Sequence, residues 1–256
     1  DLLVFLDFYV SFSDIESSRI FYFIFTLYFA SLIEKGNGAD PLFLHVMQDT
    51  QELQFFVGYI KDAVGDRLSM TVPGLIHKYH GRVLLTPTGA CAIHCRYCFR
   101  RHFAYNVASV DCRPDGAVMQ YLSSNTDVGE VILSGGDPLM LSDQKIADMI
   151  SSLNQISHIH RLRIHSRVLS VLPERITPAL IETLNQFNGQ LVFVTHINHP
   201  NEISKPNQAV FRCLSEQGFG LFNQSVLLKR VNDNAQILAD LSKKLFKHHI
   251  VPYYLH

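Results

Sequence analysis

The sequence predicts an α/β protein, a partial TIM-type (βα)6 barrel preceded by an N-terminal extension. Three observations carry that reading. Short β-type runs recur from residue 82 onward at a spacing of about 30 residues, the length of a strand, a helix and two turns. Helix-like stretches lie between them. Polar, chemistry-bearing residues gather after the C-terminal ends of the strands, where parallel barrels keep their active sites. An open doubly wound sheet is the alternative, but its Gly-rich dinucleotide turn is missing, since "SGGDP" is not G-x-G-x-x-G.

Taken in order, the strands are "RVLLTPT" (82–88), "EVILSGG" (130–136), "RLRIHS" (161–166), "QLVFVTH" (190–196), "GLFNQS" (220–225) and "IVPYYLH" (250–256). The first gap is wider and contains a cysteine loop. Among the helices, "TPALIETLNQF" opens with Thr177 as N-cap and Pro178 at the first helical position, where its missing N–H costs nothing. "NDNAQILADLSKKLFKHH" puts Ile237, Leu238, Leu241 and Leu245 on one face and closes its last turn with Lys and His. The strand ends carry the cysteine loop, "SGGDPL", "HSR", "THINHPNE", "NQS" and His256. The opposite ends, "DVGE", "HIHR", "NGQ" and "SEQG", hold no comparable Cys and His–Asn clusters.

The 256-residue chain has 47% hydrophobic and 18% charged residues, which suits a packed core and excludes a disordered chain. A formal net charge of −1 argues against an electrostatic nucleic-acid footprint. Five cysteines, odd in number and with three of them in one loop, do not make a secreted disulfide framework, so a reducing, cytoplasmic interior is expected. Residues 20–33, "IFYFIFTLYFASLI", are nearly all apolar. They are too short for a membrane span of about 20 residues and follow an acidic stretch unlike a secretory signal. A buried helix or strand is the leading reading there, a membrane-associated segment the minority one. Residues 1–75 are therefore taken as an extension packing on the barrel, and 76–256 as the barrel itself.

"GACAIHCRYCFRRHF" (89–103) raises the chemical question, because it places three cysteines within eight residues. A disulfide uses two thiols and a structural zinc usually four ligands. Three thiolates hold three corners of a 4Fe–4S cluster and leave the fourth iron open to a small molecule. Zinc bound by Cys91, Cys95, Cys98 and a nearby His is the competing reading.

The C-x-x-x-C-x-x-C spacing of Cys91, Cys95 and Cys98, with aromatic Tyr97 before the third cysteine, resembles the radical S-adenosylmethionine enzymes. That resemblance implies S-adenosyl-L-methionine chelated on the open iron, and a reduced cluster that passes it an electron to give a 5′-deoxyadenosyl radical. A longer set of motifs is similar to the lysine 2,3-aminomutase family. They are "GLIHKYHGRVLL", "CRYCFRRHF", "SGGDPL", "RIHSR", "LPERIT", "HINHPNEI", "NQSVLLK", "VNDN" and "PYYLH". The similarity runs from about Glu34 to His256, is dense after Pro73, and is strongest to the short bacterial branch that isomerises a lysine destined for elongation factor P.

The resemblance implies roles residue by residue. Gly135, Gly136, Asp137 and Pro138 match the Gly-Gly-acid motif that contacts S-adenosylmethionine, glycine allowing close backbone approach. The family also uses pyridoxal 5′-phosphate, whose phosphate wants fixed cations, and Lys78, Arg82 and Arg167 fall at its phosphate-binding positions. Arg100 matches the arginine that grips the substrate carboxylate, and Asp233 the acid that pairs with the far ammonium of lysine. As an ordinary structural feature, Asp233 would cap the helix that starts at Asn234. His196, Asn198 and His199 are expected to face the same cavity. The family's Schiff-base lysine lies beyond the sixth strand and has no counterpart here, because Lys229, Lys243, Lys244 and Lys247 sit in other motifs. A truncated C-terminus is therefore expected.

The implied reaction converts L-lysine, or a lysine-like substrate, to β-lysine, with reducing electrons from a donor such as flavodoxin or ferredoxin. The competing functions are another radical amino-acid mutase, an inactive truncated remnant and a zinc-binding protein without catalysis.

Overall fold

A computed structural model describes residues 24–49, 52, 54–105 and 110–256. One eight-stranded sheet organises them, in the order β1 (Met70–Val72), β2 (Leu75–Tyr79), β3 (Arg82–Leu85), β4 (Glu130–Leu133), β5 (Arg161–Ser166), β6 (Gln190–His196), β7 (Gly220–Ser225) and β8 (Val251–Leu255). From β3 to β8 every neighbour is parallel, so the six expected strands are the six parallel ones. Spatial order equals chain order throughout. Among the described residues there is no topological switch point, which separates this partial TIM-type barrel from a doubly wound sheet.

The sequence reading did not include β1 and β2. They add a short antiparallel meander to the edge of β3, turning at Gly74 (φ 77) and Gly81 (φ 76). β1 is three residues long and irregular in register, too brief for an alternation pattern to register in a sequence.

Strand burial follows from helices covering the sheet. In β6 five consecutive residues, Leu191–Thr195, are buried, as expected where a parallel strand is covered on both faces. After two single-turn helices, α1 (Leu27–Ala30) and α2 (Pro41–Leu44), the covering helices include α3 (Ala117–Ser124), α4 (Asp143–Leu153), α5 (Val168–Val171), α6 (Pro178–Leu184), α7 (Lys205–Glu216) and α8 (Ala235–Lys247). Thr177 caps α6, its side chain accepting from Leu180 N, and Pro178 occupies the first turn as expected. Asn234 rather than Asp233 caps α8, accepting from Gln236 N and Ile237 N.

The apolar N-terminal stretch is described from Ile24 onward; residues 20–23 lie outside the described part. It forms a single helical turn, Leu27–Ala30, in which Phe29 and Ala30 are fully buried. Phe25, Phe29, Leu42 and Phe43 belong to the same core cluster as Leu85, Leu133 and Leu162 of the barrel strands. Each such side chain contributes about 1.5–3 kcal/mol on burial, so this stretch is anchored by the barrel it covers. Among the described residues no helix is long and apolar enough to cross a membrane.

Candidate active site

The C-terminal ends of the parallel strands open onto one cavity of about 520 Å³. Its wall takes Cys91, Cys95 and Cys98 from the loop after β3, and Ser134, Gly135, Gly136 and Asp137 from the turn after β4. His165 and Arg167 come from the end of β5, and His196 and Asn198 from the end of β6. Lys78 and Arg82 reach it from the β2–β3 hairpin.

Backbone contacts fix the cysteine loop from two sides. From outside the barrel, His94 N donates to Ile24 O (2.8 Å) and Arg96 N to His45 O (3.0 Å), which gives the N-terminal stretch a role in the site. Glu52 holds the loop's cations, meeting Arg96 Nε at 3.0 Å and Arg101 Nη1 at 2.8 Å. From inside, Gly136 N donates to Thr88 O (2.8 Å) and Asp137 N to Ala90 O (2.7 Å). Gly135 has φ 109, a region open to glycine, and a Cβ on Gly136 would lie 2.4 Å from Ala90 O. The two glycines are thus what lets the β4 turn lie against the cysteine loop.

Asp137 anchors this corner. Its carboxylate accepts Ser166 Oγ (2.8 Å), Arg167 N (2.7 Å), Leu139 N (3.1 Å) and Val168 N (3.1 Å). Burial raises its pKa, and those hydrogen bonds work against the rise. The carboxylate is turned into the protein and tied to β5, while Pro138 opens a buried 3-10 turn outside the cavity wall.

The five cysteines are all free. Burial raises the Cys91 thiol, helped by Asp137, Cys95 and Cys98. Burial followed by Cys95 raises that of Cys98. Thiols packed this closely need a cationic partner before they all ionise. Among the described residues no three His, Cys, Asp or Glu side chains are drawn together tightly enough to hold a single metal ion. Three cysteines on one cavity wall, close enough to raise one another's thiols, suit an iron–sulfur cluster with three thiolate ligands.

The three expected phosphate cations line the same cavity at different levels, Lys78 and Arg82 on the β2–β3 side and Arg167 beyond β5. Strand register sets Arg82 level with Glu130 and Arg161. Arg167 follows six positions later, about 20 Å further along at the usual strand rise. Arg82 lines the cavity with its guanidinium over the Tyr79 ring (5.6 Å). Arg167 is buried behind the cysteine loop: Nη1 donates to Cys95 Sγ (3.1 Å) and to Tyr97 Oη, and Nη2 to Glu202 Oε2 (3.1 Å). Those contacts use its Nη atoms where the sequence reading had a phosphate.

Lys78 and Arg100 meet at Asp66, a residue the sequence reading missed. Lys78 Nζ lies 2.6 Å from Asp66 Oδ1 and Arg100 Nε 2.7 Å from Oδ2, while Arg100 Nη1 donates to Ser134 Oγ at 3.0 Å. The two cations hold the Asp66 carboxyl below its usual range, overcoming the effect of burial. Nothing in "GDRLS" signals this pairing, because it joins residues 34 positions apart.

Asp233 is not brought to the cavity. It is exposed, and its carboxylate accepts the N–H of Arg230 (3.0 Å), stabilising a turn in which Arg230 has φ 66. Among the described residues the carboxylates on the cavity wall are those of Asp66 and Asp137, both already bonded within the protein.

His196 and Asn198 line the cavity as expected, whereas His199 caps the turn Pro200–Glu202. His165 joins them unforeseen, its ring edge-on to His196 at 5.9 Å. Burial drives both imidazoles down, His196 to about 3, so both are neutral donors or acceptors at neutral pH. Their Nε2 atoms have no hydrogen-bond partner among the described residues.

No family model matches the chain. Curated relatives do. The chain is 46% identical over 228 residues to the L-lysine 2,3-aminomutase of Haemophilus influenzae, covering 89% of this chain and 68% of that protein. It is 42% identical over 245 residues to that of Buchnera aphidicola, covering 96% and 72%, and 45% identical over 228 residues to that of Escherichia coli, covering 89% and 66%. The chain thus spans about two thirds of the length of these relatives. With a barrel cavity that presents the three-cysteine loop and the Gly-Gly turn side by side, this degree of identity settles the relationship: the chain belongs to the L-lysine 2,3-aminomutase family.

Proposed function

We propose that the chain is an isomerase that moves the α-amino group of L-lysine to the β carbon, giving β-lysine. The observation that carries the proposal is the hydrogen-bonded pairing of the cysteine loop with the Gly135–Gly136 turn on one cavity wall. Cys91, Cys95 and Cys98 hold a 4Fe–4S cluster. The backbone of Gly135 and Gly136 lies against S-adenosylmethionine. Lys78 and Arg82 supply positive charge for the phosphate of pyridoxal 5′-phosphate. When bound, these groups supply a radical source and a carbonyl that carries the migrating nitrogen.

The chain's own residues do the orienting. Arg100 is held at Nε by Asp66 and at one Nη by Ser134, so its remaining fork is presented at a fixed angle to a substrate carboxylate. His165 and His196 stay neutral and leave unpartnered nitrogens to meet polar ligand atoms.

The test is anaerobic reconstitution with iron and sulfide, reduction by dithionite or flavodoxin, and assay of 5′-deoxyadenosine on adding S-adenosylmethionine, with Cys95→Ala as control. β-Lysine formation is then followed with lysine and pyridoxal phosphate present. Zinc in place of iron and sulfide, and no 5′-deoxyadenosine, would overturn the reading. The finer proposal, that the product serves elongation factor P, is checked by the mass of that factor in cells with and without the gene. An unchanged mass refutes it.

A further inference from the structure

One of the three thiols, that of Cys95, takes a guanidinium N–H from Arg167 (3.1 Å), a charged donor. The side chain of Arg167 is 5% exposed and that of its partner Glu202 is 0% exposed. Burying such a pair costs solvation of both ions, and it persists only where further hydrogen bonds satisfy them. Here they do. Glu202 Oε1 accepts Asn198 N (2.7 Å) and His199 N (3.0 Å), and its Oε2 accepts Arg167 Nη2. The Arg167 backbone is tied to Asp137, and the guanidinium lies between the Phe29 and Tyr97 rings at 5.6 and 5.5 Å. The arginine is therefore held through its backbone and both Nη atoms, with one Nη aimed at a sulfur.

We propose that Arg167 is a positioning and charge-setting residue for the iron–sulfur cluster: it binds the Cys95 thiolate, and Glu202 aims it and offsets its charge, so the pair sets the cluster's reduction potential. The inference rests on the cluster reading given above. Reduction adds one electron to the cluster and makes its sulfurs better acceptors. A donor N–H and a nearby positive charge stabilise the reduced form more than the oxidised one and raise the potential. A buried carboxylate on the far side of the guanidinium lowers it. The two side chains therefore act with opposite sign, a result that mere loss of packing would not give.

The experiment is an anaerobic redox titration of the reconstituted protein followed by electron paramagnetic resonance, with iron and sulfide measured per chain. Arg167→Gln should keep its cluster and shift the midpoint to more negative potential. Arg167→Lys, which keeps the charge but loses the fork, should fall between wild type and Arg167→Gln. Glu202→Gln, whose amide oxygen can still accept the Asn198 and His199 N–H groups, should shift the midpoint to more positive potential. Full cluster content with unmoved potentials overturns the proposal alone, and so do shifts of the same sign in Arg167→Gln and Glu202→Gln. Should Arg167→Gln fail to fold, a Glu202→Gln midpoint that does not rise overturns it. A wild-type chain that takes up no iron and sulfide overturns the cluster reading itself, and this proposal with it.

Discussion

Replacing Gly136 by Ala tests the contact on which the whole site depends. The new Cβ would lie 2.4 Å from Ala90 O, 2.6 Å from Gly89 C and 2.9 Å from Ala90 N. All three obstructing atoms are backbone, so no rotamer change relieves them. The cysteine loop or the β4 turn has to move, and the 2.7 Å bond from Asp137 N to Ala90 O lies directly in the path. Forcing extra volume into a packed site costs about 1–3 kcal/mol, and the lost hydrogen bond about 1 kcal/mol more. The sum, about 2–4 kcal/mol, corresponds in a chain of this size to a fall in Tm of roughly 4–16 °C. Thermal melts followed by circular dichroism give the number, and iron and sulfide per chain report whether Cys91, next to the displaced Ala90, still ligates. Gly38→Ala is the matched control. Its Cβ meets nothing within 4 Å, so its effect should stay within about 0.5 kcal/mol. A Gly136→Ala protein that melts with wild type and loads equally would show that the two loops do not pack as described.

Three further outcomes follow from single contacts. Thr177→Ala removes the cap on α6 and should cost about 1 kcal/mol, read as a lower urea midpoint and recovered by Thr177→Ser; an unchanged midpoint would remove the cap from the account. Asp66→Ala leaves Arg100 and Lys78 without their shared carboxylate. Breaking such a largely buried pair should destabilise by about 3–5 kcal/mol, and equal stability to wild type would refute the pairing. The third concerns pH. His165 and His196 are held neutral in the folded protein, His196 titrating near 3, while in the unfolded chain each titrates at about 6.5. Below that value the unfolded state binds the extra protons, so stability falls as pH falls, by about 1.4 kcal/mol per pH unit for each imidazole. Asp137 and Glu202, whose carboxyls are raised by burial, oppose the trend on protonation. Comparing wild type with His165→Gln isolates the imidazole: the loss between pH 7.5 and 5.5 should be smaller in the variant, and equal losses would refute it.

What the sequence disclosed and what it hid divide along a physical line. The six parallel strands, the Thr177–Pro178 helix start, the three cysteines and the glycine pair were legible because each is a local pattern: periodicity, a cap, a spacing, a freedom only glycine has. The pairings that aim the charged residues are not local. Asp66 joins Lys78 and Arg100 across a strand and a loop, Glu202 joins Arg167 across 35 residues, and Glu130 joins Arg163 inside the barrel across 33. A motif match assigns an arginine to a ligand by its position in a string. The protein assigns it by which carboxylate holds its other edge. Arg100 and Arg167 show the difference. Both stand in matched motifs, yet Asp66 and Ser134 leave Arg100 with one fork presented to the cavity, whereas Glu202 and Tyr97 turn Arg167 onto a sulfur. Side chains of the same kind, at the same end of the same sheet, thus acquire different chemistry from their buried acids. In a site meant to keep a cluster, a radical source and an anionic cofactor in register, the acids are what allot each cation to its partner.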